Sequence, residues 1–131
     1  MAGLFKNNPR RKLRKLVKEK KYDEALEYGH GIEKTLVHDP DISFIIGTIY
    51  FILGNAEKTI FYMDKTLEIG QYDIDALSIK ASVFLNQKNK SGARKCCETI
   101  RDIDPKNKAL KEIEAELNLS LIHISEPTRL G

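Results

Sequence analysis

The chain has 131 residues, 41% of them hydrophobic and 31% charged, with two cysteines and a net charge of +3. That length fits one small domain, which buries roughly two-thirds of its unfolded surface and needs no metal or disulfide staple. The composition excludes a disordered tail, and +3 is too weak a bias to argue for nucleic acid on its own.

Met1 to Lys6 lacks the apolar stretch of a secretory signal, and Gly3 stands one place late for myristoylation. Asn8-Pro9 predicts a capped helix start, with Leu13, Leu16 and Val17 as the apolar stripe. Lys20-Lys21 makes a turn, and a second helix carries Leu26, Gly29 and Ile32. Asp39-Pro40 predicts the next start and Gly54-Asn55 the next turn. Ile60, Met63, Leu67 and Ile69 form the following apolar face, which Gly70 ends. Leu77, Ala81 and Phe84 lead to a turn at Lys88-Asn89-Lys90, then to Ala93, Cys97, Ile100 and Ile103. The most apolar run, Ile42 to Leu53, contains Ser43, Gly47 and Thr48 and falls short of the roughly 20 residues of a bilayer span. It reads as a buried helix, and a reducing cytoplasm is the expected compartment.

These elements repeat. Tyr22-Asp23-Glu24-Ala25-Leu26 recurs in altered form at Ala56 to Ile60 and again at Lys90 to Arg94, at offsets of 34 residues. Leu13, Gly47 and Ala81 align in that register, as do Leu16, Tyr50 and Phe84. A period of this length with two helices per copy means stacked hairpins, each burying the face its neighbour cannot bury alone. On Ile46-Gly47, Tyr50, Gly54, Leu77, Ala81, Phe84, Ala93, Pro105, Tyr22 and Ala25, the chain resembles the tetratricopeptide repeat family. Lys20 and Lys88 depart from the family's turn glycine, and Gly29 and Cys97 from its second aromatic. The resemblance implies an all-α, right-handed α-solenoid of antiparallel helical hairpins within residues 1–118. Its repeats fall at about 6–39, 40–73 and 74–107, with a partial fourth at 108–118 carrying Leu110, Ile113 and Leu117. From Leu119 to Arg129 the chain resembles the in-frame translation of a transposase-type sequencing adapter. Residues 119–131, His123 included, are therefore read as a non-native tail that truncates the fourth copy.

Catalytic chemistry finds no footing in this pattern. No phosphate loop, GxSxG elbow or HExxH motif is present. His30 and His38 are separated by a helix end, so no metal is expected, and no cofactor. Adjacent Cys96 and Cys97 suit small core filler rather than a redox pair. Residues 1–21 hold nine Lys or Arg against one Glu, +8, which leaves −5 for the rest. Leu13, Leu16 and Val17 give that basic helix a packing stripe, and no aromatic interleaves its charges to stack on bases.

The resemblance implies a concave groove lined by each copy's first helix. By register it presents Arg10, Arg14 and Val17, then Phe44, Ile45, Thr48, Phe51 and Ile52, then Ser78, Ile79, Ser82 and Asn86. A subgroup of the family clamps a C-terminal carboxylate with basic and amide side chains. The matching positions here are Arg10, Arg14, Ile45, Asp75 and Ile79, so a chaperone-tail clamp is not expected. The reading is a scaffold without catalysis that binds an apolar protein or peptide segment, one with an acidic flank, in this groove. Nucleic acid is disfavoured and no membrane span is expected. The alternatives are an accessory segment of a larger truncated enzyme or regulator, or binding of an acidic or nucleic-acid surface by the basic first helix.

Overall fold

The computed structural model describes residues 8–118, which are helical throughout apart from turns and loops. In order these are α1 (Pro9–Lys18), α2 (Tyr22–Ile32), α3 (Pro40–Ile52), α4 (Ala56–Ile69), α5 (Asp73–Asn86), α6 (Lys90–Ile103) and α7 (108–118). The expected adapter-like tail lies outside the described residues.

Short polar side chains set the helix starts. Asn8 Oδ1 accepts from the amides of Arg10 and Arg11, and Asp39 Oδ1 from those of Asp41 and Ile42, each just ahead of a proline at the first helical position. Asn55, Asn89 and Asn107 cap α4, α6 and α7 in the same way. These caps satisfy amides that a helix leaves without intrahelical partners.

The three hairpin turns share one backbone. The Lys21, Asn55 and Asn89 amides donate to the carbonyls of Leu16, Tyr50 and Phe84 at 2.9, 2.9 and 2.7 Å. One residue earlier in each turn the backbone is left-handed: Lys20 has φ 61°, Gly54 81° and Lys88 61°. The bonding is the Schellman closure, and the two lysines take a conformation that glycine adopts without steric cost.

The described residues divide into two compact units, 8–72 and 73–118. In the first, Leu13, Ala25, Ile42, Ile46, Ile49 and Tyr62 form a buried cluster edged by Leu16, Leu26, Ile32 and Ile45. Gly47 lets α3 approach α4 closely: a Cβ there would lie 2.9 Å from Tyr62 Cβ and 2.6 Å from Met63 Cε. Below it a buried hydroxyl pair, Ser43 Oγ and Thr66 Oγ1 at 2.9 Å, joins the two helices. In the second unit Ala76, Leu77, Ala81, Val83, Ala93, Cys96, Cys97, Ile100, Leu110, Ile113 and Leu117 are buried. Both cysteines are buried, and burial pushes the Cys97 thiol up, which suits filler rather than reactivity.

Candidate functional site

Helix α3 is apolar nearly all round, so its sequence alone gives only a weak phase. The fold sharpens it. Ile42, Ile46 and Ile49 are fully buried, while Phe44, Ile45, Thr48 and Phe51 are half-buried on the opposite face and Ile52 is 49% exposed. These are the α3 residues expected to meet a partner, and the helix brings them onto one stripe. Ile45 also packs against the buried cluster, so it belongs partly to the core. Thr48 donates its hydroxyl to the Phe44 carbonyl at 2.8 Å, which leaves the stripe with little polar demand. Phe44 stacks on Tyr72, with centroids 5.0 Å apart and planes 13° apart.

Arg10 and Arg14 of α1 are not free cations. Arg10 Nη2 pairs with Asp39, Arg10 Nε lies 3.2 Å from Asp41 Oδ2, and Arg14 Nη2 lies 3.4 Å from Asp41 Oδ1. The hydrogen bond to Asp39 holds the Arg10 guanidinium protonated beyond its ordinary range. Tyr72 donates its hydroxyl to Asp41, and that bond pushes the phenol up. Val17 is half-buried at the edge of the core cluster.

The remaining expected residues belong to the second unit. On α5, Ser78 and Ile79 are half-buried, as is Ser82, whereas Asn86 is exposed. Ser78 donates to the Ile74 carbonyl at 2.7 Å and Ser82 to the Ser78 carbonyl at 3.2 Å, so both hydroxyls are spent on their own helix.

A polar cluster among α2, α3 and α4 was not anticipated from the sequence. His30 Nδ1 lies 2.5 Å from Glu33 Oε2 and His30 Nε2 2.7 Å from the Tyr50 hydroxyl. Tyr62 donates to Glu33 Oε2 at 2.8 Å, and Lys65 Nζ is 3.5 Å from Glu33 Oε1. Burial pushes the Glu33 carboxyl up, but hydrogen bonds from His30 and Tyr62, with the charges of His30 and Lys65, outweigh it and hold it below its usual range. Burial, then the Glu33 contact, pushes the Tyr62 phenol far up, so it remains a donor. The (i, i+3) spacing of His30 and Glu33 was the available hint. Their meeting with Tyr50 and Tyr62 depends on tertiary packing. Among the described residues no group of three or more His, Cys, Asp or Glu could hold a metal ion, and no helix is long and apolar enough to cross a membrane.

No protein-family profile matches the chain, and no curated protein matches it in sequence. Its likeness to known proteins is one of structure. The first tetratricopeptide domain of Spaghetti (RPAP3), solved bound to an HSP90 peptide SRMEEVD, matches with a TM-score of 0.78 at 18% identity, over 86% of this chain and 90% of that one. The first such domain of human RPAP3, solved by NMR, matches with a TM-score of 0.76 at 17% identity, over 88% of this chain and 91% of that one. The Hsp90 co-chaperone Cns1 of Saccharomyces cerevisiae gives 0.84 at 16% identity, over 93% of this chain but 41% of that one. The chain therefore has the tetratricopeptide-repeat fold, an all-α arrangement of helical hairpins.

Proposed function

We propose that the chain is a protein-interaction scaffold, without a catalytic step of its own, that holds an apolar peptide segment against the outer stripe of α3. The observation that carries this reading is the stripe itself: Phe44, Ile45, Phe51 and Ile52 are left partly exposed on a helix whose other face already fills the core. Exposed apolar side chains gathered on one rigid helix are the usual material of binding hot spots. The peptide held by a neighbour of the same fold supports a peptide, though not an apolar one, as the kind of partner. On α5, Ser78 and Ile79 offer a smaller and more polar version of the same surface. Residues 1–118 are proposed as the interaction domain, with repeats at about 6–39, 40–73 and 74–107 and a partial one at 108–118, acting in the cytoplasm.

Arg10 and Arg14 were expected to provide an electropositive end for an acidic flank. Their engagement with Asp39 and Asp41 shifts the weight of binding onto the apolar stripe. The test is selection of binders from a displayed random-peptide library on the full chain. Selected peptides are expected to carry two or more large apolar residues and to lose about 1–3 kcal/mol of affinity in Ile52→Asp or Phe51→Ala. Selection of acidic peptides that bind both variants normally would sink the reading.

A further inference from the structure

The arginines of α1 and the apolar stripe of α3 meet at one assembly, and its centre is Asp41. Both oxygens of that carboxylate are engaged: Oδ2 with Arg10 Nε, and Oδ1 with Arg14 Nη2 and the Tyr72 hydroxyl. Asp39 takes the Arg10 Nη2 donor while its other oxygen caps α3. Two guanidinium groups thus face two carboxylates, and their charges cancel. The arginines nonetheless remain open to water, with side chains 39% and 55% exposed, so an incoming group can reach them.

Resting on the reading of the α3 stripe as the binding face, we infer that Asp41 is a built-in counter-ion that bars carboxylate-bearing segments from this end of the face. A partner carboxylate drawn to Arg10 or Arg14 comes within a few ångströms of Asp41, and like charges brought together without compensation oppose binding strongly. Asp41 does not swing aside freely, because that costs it the Tyr72 hydroxyl. Tyr72 in turn is seated face to face on Phe44, so the aromatic anchor and the counter-ion form one unit. The segment that fits lays apolar side chains along Phe44, Phe51 and Ile52 and carries neutral residues where it passes Arg10 and Arg14.

The experiment follows the Arg10 and Arg14 Nε–H resonances of the full chain by NMR. They are titrated with acetyl-diglutamate, and with acetyl-diglutamine at the same ionic strength as the neutral control. In the parent the two probes are expected to act alike, with no saturable shift. In Asp41→Asn the diglutamate is expected to move both resonances saturably, binding at least about tenfold tighter than to the parent. Tyr72→Phe keeps the ring on Phe44 but removes the hydroxyl that steadies Asp41, and should give a smaller gain of the same sign. It decides the matter if circular dichroism shows Asp41→Asn unfolded. A parent that binds the diglutamate as tightly as the variants overturns the inference, and so do variants as silent as the parent. Neither readout involves peptide binding on the stripe, so loss of affinity in Phe51→Ala tests that reading separately.

Discussion

The second and third hairpins, α3–α4 and α5–α6, share a backbone plan and differ in what they show to solvent. Positions buried in both include Ile42 and Ala76, Ser43 and Leu77, Gly47 and Ala81, Ile49 and Val83, Thr59 and Ala93, Met63 and Cys97, and Thr66 and Ile100. Every pair is 34 residues apart. Outside, the same register places Phe44 against Ser78, Thr48 against Ser82, Phe51 against Leu85 and Ile52 against Asn86. The buried set makes the hairpin, and many small-to-large combinations satisfy it as long as facing volumes complement. The outer set is free of that constraint, and only in the second hairpin is it rich in aromatic and branched apolar side chains.

The sharpest way to break this comparison is at Gly47. Ala81 holds a Cβ at the equivalent place, but at Gly47 a Cβ meets Tyr62 Cβ at 2.9 Å, which no side-chain rotation relieves. Gly47→Leu should therefore cost about 3 kcal/mol by urea unfolding, and Gly47→Ala less but with the same sign. A variant as stable as the parent would dissolve the packing argument.

Next in size is Glu33, whose cluster the third hairpin lacks: Tyr50 and Tyr62 correspond there to Phe84 and Cys96. Because the folded chain holds Glu33 ionised to lower pH than the unfolded chain does, its contribution is complete above the ordinary carboxyl value of 4.5. That contribution is lost as pH falls through the depressed folded value. Glu33→Gln should lower stability by about 1–2 kcal/mol at pH 7 and flatten the fall in stability below pH 4.5. Parallel pH profiles for parent and variant would remove Glu33 from the account.

The turns give a smaller effect of opposite sign. Lys20 and Lys88 stand at φ 61°, where the second hairpin has Gly54. Replacing either lysine with glycine relieves side-chain crowding, partly offset by the greater freedom of the unfolded chain. A gain of up to about 1 kcal/mol is expected for Lys88→Gly. A loss would show that the lysine side chain contributes more than its backbone costs. The smallest effect, none, is expected from removing residues 119–131, which continue no hairpin's pattern. A drop in Tm of more than about 2 °C would contradict the tail reading.

Much of the fold was legible because its signals are local. Asn8 and Asp39 mark helix starts, and Asn55 and Asn89 mark turns, whose geometry depends mainly on neighbouring residues. The turns at Lys20 and Lys88 were placed by the 34-residue period even though the residue type argues against a left-handed backbone. The chemistry of the face was less legible. Arg10 and Asp39 stand 29 residues apart, and His30 and Tyr62 stand 32 apart. Such partnerships depend on how far long side chains reach between helices, which periodicity does not encode. Ile45 shows the same limit: a helix apolar nearly all round does not announce which residues its core takes.

The central claim is that the α3 stripe, and not the basic first helix, supplies the binding energy. It is tested most directly with one library-selected peptide measured by calorimetry against two variants at physiological salt, both first checked for fold by circular dichroism. Phe44→Ala combined with Phe51→Ala is expected to weaken binding by at least about 2 kcal/mol. Arg10→Ala combined with Arg14→Ala should change affinity by less than about 0.5 kcal/mol, because those charges are already compensated. Abolition of binding by the arginine pair, with the phenylalanine pair binding normally, would contradict the account and make the protein a reader of charge.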